Sequence, residues 1–194
     1  MGFYCEITLL PNPEVNINFL WSKVFQQIHL GLVEIQDDQG RVPIGVSFPE
    51  YVVGEKYSVL GGKCRLFAPD EATLARFNAA KWLVRLNDYV HCTGIRPVPE
   101  KLAGYAVYQR QQPKTNKERL ARRYAGRHSV DYDTALMRYN SMAHQTITAP
   151  FIRLKSLSGN QVFCLWIKKT VVVEPSGSTF SSYGLSAESS VPEF

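Results

Sequence analysis

No apolar run in this chain approaches the roughly 18 residues that a membrane-spanning helix needs. The opening residues, MGFYCEITLLPNPE, place no basic stretch before their apolar run and meet acid and proline early, so the expectation is no signal peptide. Glu6 also stands where a myristoylation signal wants Ser or Thr. The four cysteines, Cys5, Cys64, Cys92 and Cys164, form neither a CxxC pair nor a zinc-knuckle spacing. They read as small core residues of a reduced, cytoplasmic protein, with a disulfide pair as the lesser alternative. A P-loop, a dinucleotide glycine fingerprint and an HExxH motif are missing as well, which counts against nucleotide- and zinc-driven chemistry. No internal repeat is visible. What is present is globular: 45% hydrophobic and 12% aromatic residues over 194 positions suffice for a real core.

One stretch lacks acids where they usually interleave. Lys114 to His128, KTNKERLARRYAGRH, carries six cations (Lys114, Lys117, Arg119, Arg122, Arg123, Arg127) against Glu118 alone. Its net +5 equals the net +5 of the whole chain, so the basicity is local. Thr115 and Glu118 have capping-box spacing, which predicts a helix from Asn116. At about 100° per residue, Arg119, Arg123 and Arg127 fall near 0°, 40° and 80° and Arg122 near −60°. Four guanidiniums on one face repel mildly and call for anions, phosphate first. A solvated basic face is the competing reading. The neighbouring Tyr105–Gln112 segment, aromatic and amide-rich, favours nucleic acid.

In chain order, Phe3–Leu10 reads as a strand, and Val15 to about Val33 as a helix with Leu20, Val24, Ile28 and Leu32 on one stripe, widened by Ile17, Trp21 and Phe25. Ile44–Phe48 is a strand. Tyr57–Leu60 and Cys64–Phe67 look like a hairpin about Gly61-Gly62. Asp70 should cap a helix reaching about Asn87, and Tyr89–Thr93 is a strand. This β-α-β-β-α-β order predicts an α+β fold with a ferredoxin-like N-terminal domain over 1–94, the skeleton of the RNA recognition motif. Its glycine-aromatic signature is not evident. Pro97 and Pro99 mark a linker at 95–104. The smaller domain, 105–194, then holds the basic helix, which Gly126 should end or loosen. A helix over Asp131 to about Met142 follows, then paired strands Phe151–Leu157 and Val162–Lys168. Pro175–Thr179 reads as a flexible connection before a serine-rich tail.

Among His29, His91, His128 and His144, only His29 has a setting that suits proton transfer: late in the first helix, at the edge of its apolar stripe. On the residues alone a structural role remains the stronger reading. Ser156 and Ser158 read as turn-formers and Tyr183 as a packing residue.

Four stretches, in order, resemble one family. They are IGVSFP (Ile44–Pro49), KTNKERLARR (Lys114–Arg123), PFIRLKSLSGNQVF (Pro150–Phe163) and FSSYGL (Phe180–Leu185). They are similar to the CRISPR repeat-processing endoribonucleases of type I-F systems, the Yersinia subtype. The resemblance implies a metal-independent enzyme without a cofactor that binds the repeat hairpin of precursor RNA. It would cut at the 3′ base of the stem by attack of the RNA's own 2′-hydroxyl, leaving a 2′,3′-cyclic phosphate and a 5′-hydroxyl. The protein would then stay bound to the mature guide RNA within the interference complex, whose other subunits become its partners. His29 would be the general base. Ser156 would hold the ribose pucker, and Tyr183 would orient the imidazole. Arg110 and Gln112 would read the two purines nearest the cut, a chemistry that suits Arg on guanine and Gln on adenine. Phe163 would stack a base. Lys114, Arg119, Arg122, Arg123, Arg127 and His128 would grip the stem. Gly126 departs from the family, which can carry another arginine there. A non-catalytic subunit that binds RNA hairpins, and a basic DNA-binding protein, are the rivals.

Overall fold

The computed structural model describes residues 1–112, 117–140, 147–156 and 159–194. Its elements in order are β1 (Phe3–Leu9), α1 (Ile17–Glu34), β2 (Arg41–Val42), β3 (Gly45–Ser47), β4 (Val52–Val53), β5 (Ser58–Val59) and β6 (Lys63–Ala68). Next come α2 (Glu71–Phe77), α3 (Ala79–Trp82), a 3-10 turn (Val84–Leu86), β7 (Val90–Cys92), β8 (Arg96–Pro97) and β9 (Gly104–Gln111). The remainder is α4 (Lys117–His128), α5 (Tyr132–Tyr139), β10 (Phe151–Lys155), β11 (Val162–Val172), β12 (Phe180–Ser181) and β13 (Val191–Glu193).

The protein is mixed α and β with antiparallel sheets. One sheet runs β3-β6-β1-β7, with β8 also pairing to β1, and a second runs β10-β11-β9-β13. Helix α1 buries the expected stripe of Leu20, Trp21, Val24, Phe25, Ile28 and Leu32, while Ile17 at its first turn is exposed. Asn16 caps it by accepting from the Asn18 amide. One hydrophobic core runs from Ile7, Phe25 and Leu66 to Ile152, Leu165 and Ile167, so it serves both sheets. All four cysteines are free thiols, and burial pushes the Cys5 thiol up to about 12, which keeps it inert at neutral pH.

The backbone divides elsewhere than at the expected linker 95–104. One compact unit is 1–111 with 149–194, and the other is 112–148. The reason lies in β9: it pairs with β11 and with the C-terminal β13, and buried Tyr108 donates to the Phe48 carbonyl at 3.1 Å. A break between 95 and 104 would cut one core in two.

Four local expectations change. The Gly61-Gly62 hairpin does not form: β5 pairs with β4, and β6 pairs with β1 and β3. Asp70 does cap α2, accepting from the Thr73 amide, but the helix stops at Asn78, whose φ of 50° reverses the chain. Helix α4 runs through Gly126 to His128. It ends instead on Ser129, in the left-handed region at φ 52°, with the Val130 amide donating back to the Ala125 carbonyl. Residues 175–179 are held by hydroxyls: the Ser176 amide donates to Ser190 Oγ at 2.8 Å, and Ser189 Oγ donates to the Thr179 carbonyl at 2.7 Å. The tail's serines thus supply pairing that a loop backbone lacks.

Candidate active site

Helix α1 presents His29 at the border of its buried stripe, half-buried beside Ile28. Its Nδ1 lies 2.8 Å from the Ser182 carbonyl oxygen. A carbonyl only accepts, so this bond places the proton on Nδ1 and leaves the Nε2 lone pair open in the neutral ring. Burial pushes the His29 pKa below its ordinary value, and the Ser182 hydrogen bond opposes that shift. Burial, the larger effect, favours a ring uncharged at neutral pH, and the hydrogen bond orients that ring by its back nitrogen.

The next residue, Tyr183, lays its ring flat on the imidazole, with centroids 4.1 Å apart and planes 6° from parallel. Ring and carbonyl come from one tight turn. The Gly184 amide donates to the Ser181 carbonyl at 2.7 Å, and the Ser181 amide donates to the Leu185 carbonyl at 2.9 Å. Gly184 has φ of 69°, and a Cβ there would stand 2.2 Å from Val46 Cγ2. The Val46 amide in turn donates to the Gly184 carbonyl at 2.9 Å, and Phe180 packs where a Cβ on Gly45 would sit. The Ile44–Pro49 and Phe180–Leu185 stretches, far apart in sequence, are therefore one support under His29.

A cavity of about 190 Å³ is lined by His29, Ser156, Phe163 and Tyr183. Gln26, Leu154 and Lys155 complete it. Ser156 follows directly on β10, and its amide donates to the Gln161 carbonyl at 2.8 Å. Phe163 of β11 sits opposite Leu154 of β10. Arg110, exposed on β9, bridges two of the rings: its guanidinium lies 5.4 Å from the Phe163 centroid and 5.6 Å from that of Tyr183. The structure thus gathers His29, Ser156, Tyr183, Phe163 and Arg110.

Three participants escaped the sequence reading. The Ser182 contribution is a backbone carbonyl and has no side-chain signal. Gln26 lies three residues before His29, a helical spacing that could have revealed it. Lys155 adjoins Ser156. Among the described residues no group of three His, Cys, Asp or Glu side chains is placed to hold a metal ion.

The 112–148 unit carries the basic helix. Gln112 opens it and is exposed. Buried Ala121 of α4 and Ala135 of α5 are the small residues that let these helices approach. Taking Arg119 as zero, Ala121 falls at about 200° and Lys117 at about 160°, opposite the arginines. Accordingly, Lys117 Nζ donates to the Asn140 carbonyl, and Tyr124 meets Arg138 and Tyr139 of α5. Arg119, Arg122, Arg123 and Arg127 are exposed. Arg122 is drawn to Glu118, 3.7 Å away. His128 is exposed as well, but its ring lies 4.3 Å from that of Tyr124, on the helix side away from the arginines. Lys114, Thr115 with its capping box, His144 and Ser158 lie outside the described residues.

Fold and site together define an α+β protein with an oriented neutral histidine in a small cavity and, on a separate unit, an arginine-faced helix. The family described as CRISPR-associated protein (Cas_Csy4) matches residues 4–194. Relatives named CRISPR-associated endonuclease Cas6/Csy4 include one from Escherichia coli (strain UTI89 / UPEC), 36% identical over 100% of both chains. Another, from Pseudomonas aeruginosa (strain UCBPP-PA14), is 35% identical, again over 100% of both. The chain belongs to this Csy4 family of CRISPR-associated proteins. A solved structure titled "An RAMP protein binding different RNA substrates" aligns over 98% of this chain and 99% of its own at 12% identity, with a TM-score of 0.36, too low to establish a shared fold.

Proposed function

We propose that this protein is a metal-independent endoribonuclease that matures CRISPR guide RNA in a type I-F system. It binds the repeat hairpin and cuts at the 3′ base of the stem. The observation that carries the reading is the state of His29: Nδ1 bonded to the Ser182 carbonyl, the ring stacked on Tyr183, in a cavity shared with Ser156. In that state Nε2 accepts the proton of the ribose 2′-hydroxyl. The 2′-oxygen then attacks the adjacent phosphorus, the bond to the 5′-oxygen breaks, and that oxygen leaves as a hydroxyl with a proton from solvent. A 2′,3′-cyclic phosphate remains. Ser156 positions the ribose for in-line attack, and Tyr183 keeps the imidazole in plane; positioning of this kind contributes several kcal/mol.

Arg110 and Phe163 hold the base next to the cut, with Gln112 reading its neighbour. Lys114 and the arginines of α4 grip the stem, and His128 closes that helix. The order β3-β6-β1-β7, with α1 after β1 and α2 after β6, supports a ferredoxin-like reading of the N-terminal part. In functional terms, residues 1–94 supply the base, and residues 105–194 supply Ser156, Tyr183 and the hairpin contacts. No described helix is long and apolar enough to cross a membrane, and the setting we infer is the cytoplasm, within the interference complex.

Incubation with repeat RNA from the same CRISPR array, followed by analysis of product ends, tests this. A chelator should leave cutting intact. RNA with a 2′-deoxyribose at the cut should bind and stay whole; cutting of that RNA would sink the mechanism. Binding without any cutting of normal RNA would instead favour a non-catalytic hairpin-binding subunit.

A further inference from the structure

Gln26 lines the catalytic cavity, and the cutting steps given above make no use of it. It is half-buried on α1, three residues before His29. That spacing advances the helix by about 4.5 Å and turns it by about 300°, so the two side chains stand about 60° apart on one side of the helix. Helical side chains lean toward the N-terminus, and the imidazole therefore leans over the turn that carries Gln26. The remaining polar groups of the cavity are otherwise engaged. His29 Nδ1 is bonded to the Ser182 carbonyl, Ser156 Oγ accepts from the Gly159 amide at 3.4 Å, and Tyr183 offers its ring to the imidazole. Lys155 belongs to the lining too, but strand alternation turns its side chain to the face opposite Leu154 and Ser156, and it is exposed. The Gln26 carboxamide has no hydrogen-bond partner among the described residues. Its two N–H donors are left to a ligand or to water.

The reaction supplies a need for such donors. As the 2′-oxygen bonds to phosphorus and the 5′-oxygen departs, negative charge grows on the two nonbridging oxygens, while Nε2 holds the proton taken from the 2′-hydroxyl. A preorganised donor aimed at those oxygens lowers the barrier. A neutral amide suits this place, because a cation beside His29 would oppose the ring's taking up its proton. Resting on the nuclease reading above, we propose that the Gln26 side-chain amide donates a hydrogen bond to a nonbridging oxygen of the scissile phosphate. The bond tightens as the 2′-oxygen attacks. Gln26 is then a further catalytic residue, one that touches the phosphate itself and exchanges no proton.

The test measures single-turnover cutting at saturating hairpin RNA. The substrates carry either the normal phosphate at the cut or one of its two phosphorothioates, in which sulfur, a poor hydrogen-bond acceptor, replaces one nonbridging oxygen. Wild type should cut one phosphorothioate diastereomer markedly more slowly than the other. Gln26→Ala should cut normal RNA at least tenfold more slowly than wild type, the order of a lost donor to developing charge. Its preference between the diastereomers should shrink toward one, since the donor that told them apart is gone. The acid limb of its pH profile should stay where wild type has it, and its Kd for the hairpin with 2′-deoxyribose at the cut should stay within a few-fold. That last value also reports that the variant is folded. Should Gln26→Ala lose hairpin affinity as well, Gln26→Met, which keeps the length without the donor, takes its place with the same expectations. Cutting at the wild-type rate overturns the proposal. So does a wild type indifferent to the two diastereomers, or a variant that keeps the wild-type preference. A slowed variant with a shifted acid limb and an unchanged preference would make Gln26 a positioning residue for the imidazole instead. Failure of wild type to cut normal repeat RNA defeats the nuclease reading itself, and is recognised because that RNA stays whole.

Discussion

At the scale of the residue, His29 is defined by what holds it. The Ser182 carbonyl selects the Nδ1–H tautomer, and burial favours the neutral ring. Since the pKa lies below the usual value of about 6.5, a general base there is active at pH 7 and lost on acidification. kcat/KM, which reports the free enzyme, should rise with pH below about 6.5 and be flat above pH 7. An acid limb centred above 6.5 contradicts this. His29→Ala should abolish cutting while hairpin affinity persists. Tyr183 acts through its ring, so Tyr183→Phe keeps the stack and should cut within a few-fold of wild type. Tyr183→Ala removes the stack and exposes the imidazole. Its rate should fall about tenfold, the order of a lost aromatic pair, and its acid limb should move up toward 6.5. Equal losses in the two variants would assign the role to the hydroxyl instead. In the sequence, His29 was legible as a helix-border histidine. Its tautomer was not, because the partner carbonyl lies 153 residues away.

At the scale of the element, the turn around Gly184 and the helix α4 respond to opposite changes. Gly184 combines a positive φ with contact against Val46. Gly184→Ala should cost about 1–3 kcal/mol in a denaturant titration, from strain and overpacking together. It should also slow cutting more than it weakens hairpin binding, since Ser182 and Tyr183 ride on that turn. Gly126 is the converse: it sits inside α4 at ordinary φ, and no atom lies within 4 Å of a Cβ built there. Gly126→Ala should stabilise the helix by about 0.5–1 kcal/mol. Gly126→Arg should in addition tighten hairpin binding and steepen its salt slope by about 1. Periodicity had located α1, and capping-box spacing had located α4. Their ends were harder: Asn78 and Ser129 stop helices by adopting the left-handed region, a choice that non-glycine residues make under tertiary pressure and seldom announce.

At the scale of the whole molecule, charge and chemistry are divided between units. The cavity belongs to the unit 1–111 with 149–194, and the arginine helix to 112–148. Arg119→Ala/Arg123→Ala should therefore raise the Kd for hairpin RNA steeply and flatten its salt slope by about 2. The single-turnover rate at saturating RNA should stay within a few-fold of wild type. A large fall in that saturated rate would show that the helix also shapes the reacting geometry.

The sequence by itself determined the family, the apolar stripe of α1 and the confinement of net charge to one short stretch. These are properties of neighbours three and four residues apart or of motifs read in order. Tertiary structure alone decided that the chain divides at 111 and 149, that the serine-rich tail is pinned by its own hydroxyls, and that Ile44–Pro49 props the turn carrying Tyr183. It also set a backbone carbonyl behind His29. Each depends on backbone groups or side chains brought together across the chain, and local spacing holds no record of such meetings.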